Sequence, residues 1–341
     1  KRRDVYIEIL PAMFYNENTE MTTEKGAYGT MNLKKMIAVI MAALVIASFT
    51  GCGTAGSGAS SKGESVELLD ASEMFSGKDI EVGYDESECT VITLGGESAR
   101  VEGEGAAGSG GTVTVSGAGD YLISGKLTDG CIVVDADGED KVRLIFKGVS
   151  INSSSGAAIY VKQADKVFIT LSKESVNEFS NTEKSKITDD VDAVIFSKDD
   201  LTINGEGSLT VTANTGHAIV SKDDLVISGG VYHLSSEKKA LDANNSIRVA
   251  GGSFTIDSGT DALHAEHEES DKGFIYIAGG SFDITSGTDA MDASGVIQIE
   301  GGSFNIVAGG GSANASTKKG GGFNDGWGKW GGKGKRMSAD E

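Results

Sequence analysis

One phrase recurs in the last third of this chain. Ala250-Gly-Gly-Ser-Phe254, Ala278-Gly-Gly-Ser-Phe282 and Glu300-Gly-Gly-Ser-Phe304 are near-identical copies, and Ser228-Gly-Gly-Val-Tyr232 and Glu206-Gly-Ser-Leu209 are degenerate ones. Aligned on the alanines Ala193, Ala218, Ala240, Ala262 and Ala290, the copies step by 25, 22, 22 and 28 residues. The last step contains an acidic stretch, Glu266 to Lys272, which reads as an inserted loop. A base period near 22 is too short for a propeller blade or a helical repeat, and it suits one coil of a solenoid. The leucine-rich phrase that some coils of this length carry is absent.

Within each period the apolar residues alternate. Ile247 and Val249 are followed by Phe254 and Ile256; Ile275, Ile277, Phe282 and Ile284 repeat the pattern, as do Ile297, Ile299, Phe304 and Ile306. Alternation in short runs broken by Gly-Gly or Ser-Gly means half-buried strands joined by tight turns. A fold that satisfies this pattern is an all-β, single-stranded parallel β-helix (a β-solenoid), in which each strand pairs with its copy one coil on at ~4.8 Å. Tyr232, Phe254, Phe282 and Phe304 then form one inner ladder, and Leu234, Ile256, Ile284 and Ile306 a second. Less regular strand-like runs extend upstream, among them Val113–Val115, Tyr121–Ile123, Val142–Ile145 and Val167–Leu171. Residues 79–112 are the candidate N-terminal cap, and the β-helix domain is expected over 79–308.

The flanks differ in character. Residues 31–51 have the form of a bacterial signal peptide: Lys34-Lys35, an apolar run of 13 residues from Met36 to Ser48, then Phe49-Thr-Gly-Cys52. Two readings are open: lipidation at Cys52 after cleavage, with 52–78 as a tether beginning Gly/Ser-rich, or an ordinary secretory peptide containing a cysteine. The first places the protein on the extracellular face of the membrane through a lipid anchor. Residues 1–30 precede Met31 without periodic pattern and are expected to be translated leader rather than native protein. Residues 309–341 are glycine-rich, hold both tryptophans (Trp327 and Trp330), and are expected to be disordered. Cys89 and Cys131 lie in strand-like runs, as two buried thiols or as a disulfide.

Charge narrows the function classes. Residues 53–308 hold 42 acidic against 18 basic side chains, a net of −24. That excludes nucleic acid, which needs a basic footprint, and it opposes any polyanion unless cations lie between. The acidic residues also stack. Coil alignment sets Asp261 beside Asp289, with Asp242, His264 and Asp292 in the adjacent outward column. Such a cluster either holds a hard divalent cation, with calcium the natural choice for carboxylates, or forms solvated turns whose aspartates cap their own backbone. Asp189, Asp190 and Asp192 form a second candidate cation group at the end of a loop. Asp199-Asp200 over Asp223-Asp224 favours the turn reading, because each copy has a neighbouring lysine. Lys238 and Lys239, one coil below Asp261, are either turn lysines or the basic component of a lyase site. No nucleophile elbow and no Cys–His pairing is present, so no catalytic residue is assigned.

Taken in order, Gly119-Asp-Tyr-Leu-Ile-Ser-Gly-Lys-Leu127, Val149-Ser-Ile-Asn-Ser153 with Ala157-Ala-Ile-Tyr160, Asp165-Lys-Val-Phe-Ile-Thr-Leu171 and the Asp-Ala and Gly-Gly-Ser-Phe copies resemble a known family, the clostridial-type carbohydrate-binding domain. The resemblance covers residues 79–308 and implies a right-handed parallel β-helix similar to pectate lyases. It implies bound calcium and binding of cellulose-like and polygalacturonate polysaccharides without catalysis. Family members carry Asp-Asp-Ala-x-His-x-Asp at the repeat edge; here Asp261 and His264 match, while Thr260 and Glu266 replace the first and last acids. The expectation is therefore a monomeric, lipid-anchored surface protein that binds polysaccharide on a Ca2+-loaded β-helix. A calcium-dependent lyase and a structural surface spacer are the alternatives.

Overall fold

The computed structural model describes residues 7–9, 68–183 and 191–311. The signal peptide, Cys52, Asp189, Asp190 and all but the first three residues of the glycine-rich tail lie outside the described residues.

From residue 112 onward the chain winds as a parallel β-helix with three strands in a typical coil. Leu241–Ala243, Ser246–Val249 and Ser253–Ser258 make one such coil, and each pairs in parallel register with its counterpart in the next. The first of these three faces is a nine-stranded sheet, eight strands of which stack in parallel; the other two faces are joined through the long strand Lys141–Ser153. Alternating burial along Ser253–Ser258 and Ser281–Ser286 sends Phe and Ile inward and Thr or Asp outward. The rings of Tyr232, Phe254, Phe282 and Phe304 stack at centroid spacings of 4.8, 4.6 and 4.9 Å, tilted by 8° or less. Parallel strands force this face-to-face geometry, because identical side chains repeat at the strand spacing. Leu234, Ile256, Ile284 and Ile306 form the adjoining register column.

One coil departs from the alignment made on alanines. Ala193 pairs with His217 and Ile195 with Ile219, a step of 24 rather than 25. Burying Ile195 above Ile219 decides the register, since a one-residue slip would turn the inner set outward. A left-handed glycine before each aromatic, such as Gly252 at φ 122° and Gly280 at φ 118°, lets the corner pass close under the ring; a Cβ at Gly280 would lie 3.0 Å from the Gly252 carbonyl.

The N-terminal end is closed by two antiparallel hairpins, Thr90–Gly96 with Ala99–Glu102, and Ala106–Ser109 with Thr112–Val115. At the other end Ile7–Ile9, in the segment expected to be leader, runs parallel to Ile297–Ile299.

Residues 70–88 run outside the helix as a strap. The Phe75 ring lies 6.0 Å from that of Tyr276, and the Met74 carbonyl accepts from Arg248 at 3.2 Å. Ser76 and Asp79 form a capping box that starts the helical turn Gly77–Ile80. Asp79 is buried and accepts from Thr202 Oγ1 at 2.6 Å and Lys166 Nζ at 2.9 Å. Burial opposes its charge, but the bonds from Thr202, Lys166 and Ser76 outweigh it and hold the carboxyl down at about 2. Farther on, Tyr84 meets Ser172 at 2.8 Å and Glu86 meets Lys147 at 2.5 Å. The strap thus crosses several coils before Thr90 enters the sheet. The tether expected up to residue 78 overlaps this docked segment, beginning at Asp70. Cys89 and Cys131 are unpaired and half-buried.

Candidate functional site

The first face ends each coil's turn with a short strand, and its outward column changes chemistry along the solenoid. Tyr160, Phe196 and Val220 share this column with Asp242, His264 and Asp292 farther on. The apolar end carries a second small core, Ala157, Ala193, Phe196 and Val220, outside the sheet. The charged end is the acidic edge anticipated from the sequence.

There, Asp261, His264 and Asp292 each offer a ligand atom within 4.8 Å of the others. Asp261 precedes the strand Leu263–Ala265 that carries His264, and Asp292 lies directly opposite His264 in the next coil. Glu266 adds a carboxylate oxygen 3.6 Å from His264 Nε2, and Asp292 lies 4.0 Å from the same nitrogen. On its other side, His264 Nδ1 sits 2.7 Å from Asp242 Oδ1. Nδ1 also faces the Lys239 ammonium at 2.9 Å, while Nε2 is turned toward the Glu266 and Asp292 carboxylates, so that Asp242 stands behind the ring as the carboxylate behind a metal-binding imidazole does. Lys239 Nζ reaches the same Asp242 oxygen at 3.1 Å. Burial would raise the Asp242 carboxyl, but the His264 bond and the Lys239 charge outweigh it and keep it below the usual range.

The five proposed edge residues therefore divide. Asp261, His264 and Asp292 converge, whereas Asp242 stands behind the imidazole, occupied by His264 and Lys239. Asp289 is outside the convergent group; its amide donates to Asp261 Oδ1 at 3.1 Å, and Thr288 donates to the same oxygen. The turn reading and the cation reading thus hold together at Asp261: one oxygen caps the next coil, which leaves the other. Lys239 is engaged rather than solvated. His267 turns aside, its Nδ1 accepting from the Glu269 amide at 3.0 Å.

The donor set suits a divalent cation. The Asp261 and Asp292 carboxylates, with Glu266 beside the imidazole, repel each other unless a cation intervenes, and oxygen-rich, irregular sets are what calcium takes. The imidazole is the one donor foreign to a typical calcium shell and familiar to zinc or nickel.

A second group, Asp200, Asp223 and Asp224, also converges within 4.8 Å. Most of its oxygens serve the fold: Asp224 accepts from Ser246 at 2.6 Å and Arg248 at 2.5 Å, Asp223 from Asn245, and Asp200 from the Asp224 amide at 3.2 Å. This is the turn role expected for the Ser-Lys-Asp-Asp copies. Burial, then the Asp224 charge, push the Asp200 carboxyl up to about 6. Of the loop group, Asp192 lies 3.4 Å from the buried His217 Nε2. Burial holds His217 below the usual imidazole range, against the opposing pull of Asp242 and Asp192.

Fold and edge together define a parallel β-helix protein with carboxylates and an imidazole gathered along its side. The chain belongs to the carbohydrate-binding domain-containing protein family, whose profile matches residues 109–328. A carbohydrate-binding domain-containing protein from Acetivibrio thermocellus is 38% identical over 122 residues, which is 35% of this chain and 43% of that relative. The chain thus spans under half the length of the curated relative it matches. A solved structure described as the polysaccharide lyase-like protein from C. thermocellum, a gadolinium derivative, superposes with a TM-score of 0.58 at 29% identity, over 63% of this chain and all of that one.

Proposed function

We propose that this protein binds polysaccharide chains along the β-helix, with calcium held at the acidic edge by Asp261, Asp292 and Glu266 beside His264. The observation that carries this reading is the convergence of Asp261, His264 and Asp292 within 4.8 Å on a chain of the carbohydrate-binding family. With a net of −24 over residues 53–308, the surface tolerates an acidic glycan such as polygalacturonate only through shared cations. A cellulose-like chain would need no such bridge. Lipidation at Cys52 would hold the protein, as a monomer, at the outer face of the cell membrane.

The test is a glycan panel read with calcium, with EDTA and with zinc. Polygalacturonate binding is expected with calcium and lost in EDTA; full retention in EDTA refutes cation bridging. Recovery with zinc alone would transfer the site to an imidazole-binding metal. Absence of binding to every glycan would leave a structural surface spacer. A second reading, calcium-dependent β-elimination, is favoured by the likeness to a polysaccharide lyase-like protein. Against it, Lys239, the basic side chain nearest the edge, is tied to Asp242. Release of unsaturated uronates, followed by ultraviolet absorbance, decides between the two.

A further inference from the structure

Among the described residues, the last coil leaves its interior open. Along the inner columns Ile256 and Ile284 are fully covered, but Ile306 in the same column is 43% exposed. Phe304 and Met291, the final members of the aromatic column and of the column holding Leu241 and Leu263, are only partly buried. The strand Ile7–Ile9 pairs with the Ile297–Ile299 edge and leaves these residues bare. A solenoid end of this kind needs a cap, because each coil buries its apolar interior only against its neighbours.

The chain itself leaves the helix at this end. Ala308 is followed by Gly309, Gly310 and Gly311, all at positive φ (57°, 80° and 72°), a run that breaks the strand and turns the backbone. A Cβ at Gly311 would lie 3.6 Å from Val307 Cγ1, so the turn stays against the last strand. Thirty residues follow, 312–341, with Phe323, Trp327, Trp330 and Met337 among six basic and three acidic side chains. The coils they leave, residues 253–308, carry ten acidic side chains and one lysine. Extended chain spans ~3.3 Å per residue, so the eleven residues between Gly311 and Phe323 reach across the end of a coil.

We propose that residues 312–341 cap the open C-terminal end in cis. Their aromatic side chains cover Met291, Phe304 and Ile306, and their lysines face the acidic last coils. Glycine spacing suits this use, since it lets bulky rings settle on a surface without requiring a regular element.

Trp327 and Trp330 are the only tryptophans of the protein, so its tryptophan emission reports on this segment alone. In the full chain the emission is expected to be blue-shifted from that of tryptophan in water and several-fold less quenched by acrylamide. Ile306→Glu places a charge at an already exposed position and is expected to abolish both effects, with far-UV circular dichroism unchanged. Solvent-like emission in the unaltered protein, or shielding that survives Ile306→Glu, overturns the proposal. Sedimentation separates the remaining occupant. Shielding in a monomer at every concentration supports the cap in cis, whereas shielding that appears only as a dimer forms refutes it and assigns the end to a second copy.

Discussion

Replacing Asp79 by alanine tests the strap most directly. Asp79 is 2% exposed and its one carboxylate gathers four donors: Thr202 Oγ1, Lys166 Nζ, and the amide and hydroxyl of Ser76. The truncation removes the capping box and leaves Lys166, itself largely buried, without its carboxylate. Breaking a buried pair by deleting one partner costs about 3–5 kcal/mol. Lys166 can swing partly to solvent, so we take about 3 kcal/mol, the lower limit. The loss falls on local opening of the strap rather than on the coils, whose ladders do not involve Asp79. Each 1.4 kcal/mol is tenfold, so protection of the strap amides against hydrogen exchange should fall about 100-fold while the coil strands keep theirs. Asp79→Asn, which keeps the shape without the charge, should fall between. The same group sets a pH limit. Its folded value, about 2, lies below the usual 3.8, so its contribution is complete above pH ~4 and disappears as pH falls toward 2. Unchanged strap exchange in Asp79→Ala, or equal losses in the strap and in Phe254–Phe282, would refute the reasoning.

Two further predictions concern the coils. Phe282→Ala removes a buried ring stacked on both sides and should cost about 3–5 kcal/mol, read as a fall in the denaturant midpoint. Phe304→Ala, with a ladder ring on one side only, should cost less, and a Phe282→Ala midpoint no lower than that of the unaltered protein would contradict the ladder. Asp200 gives a pH effect of opposite sign to Asp79. Its folded value of about 6 exceeds 3.8, so the fold binds an extra proton between them and stability rises as pH falls from 7 toward 4. Asp200→Asn should flatten that part of the stability profile, and a profile unchanged by the substitution would show that the carboxyl titrates normally.

The parts of the fold legible in the sequence were those the repeat expresses locally. Phe254, Phe282 and Phe304 name their own column because the phrase around them is copied. Ala193 misled, since a small residue fits either register and the neighbouring Ile195 decides it. The strap was illegible: the Asp79 contacts with Thr202 and Ser228 span 123 and 149 residues, and no pattern links them. A local signal did exist, since Ser76-x-x-Asp79 is a capping box. At the acidic edge, coil stacking brought Asp242, His264 and Asp292 into one column, as the structure has them. Which carboxylate faces inward to an imidazole and which faces solvent depends on side-chain direction and on Lys239, and spacing alone carries neither.

The long step of the repeat has a consequence for how such a molecule diversifies. Leu241 pairs with Leu263 after 22 residues and Leu263 with Met291 after 28, yet Phe274, Phe282 and Ile284 resume their columns without displacement. The additional residues leave and rejoin the wall between Ala265 and Phe274, directly after His264 and Glu266. That corner is a socket: segments of different length and chemistry can be exchanged there at the cost of loop closure alone, which grows only logarithmically with length. Ligand preference can be rewritten in the socket while the wall that holds it stays the same.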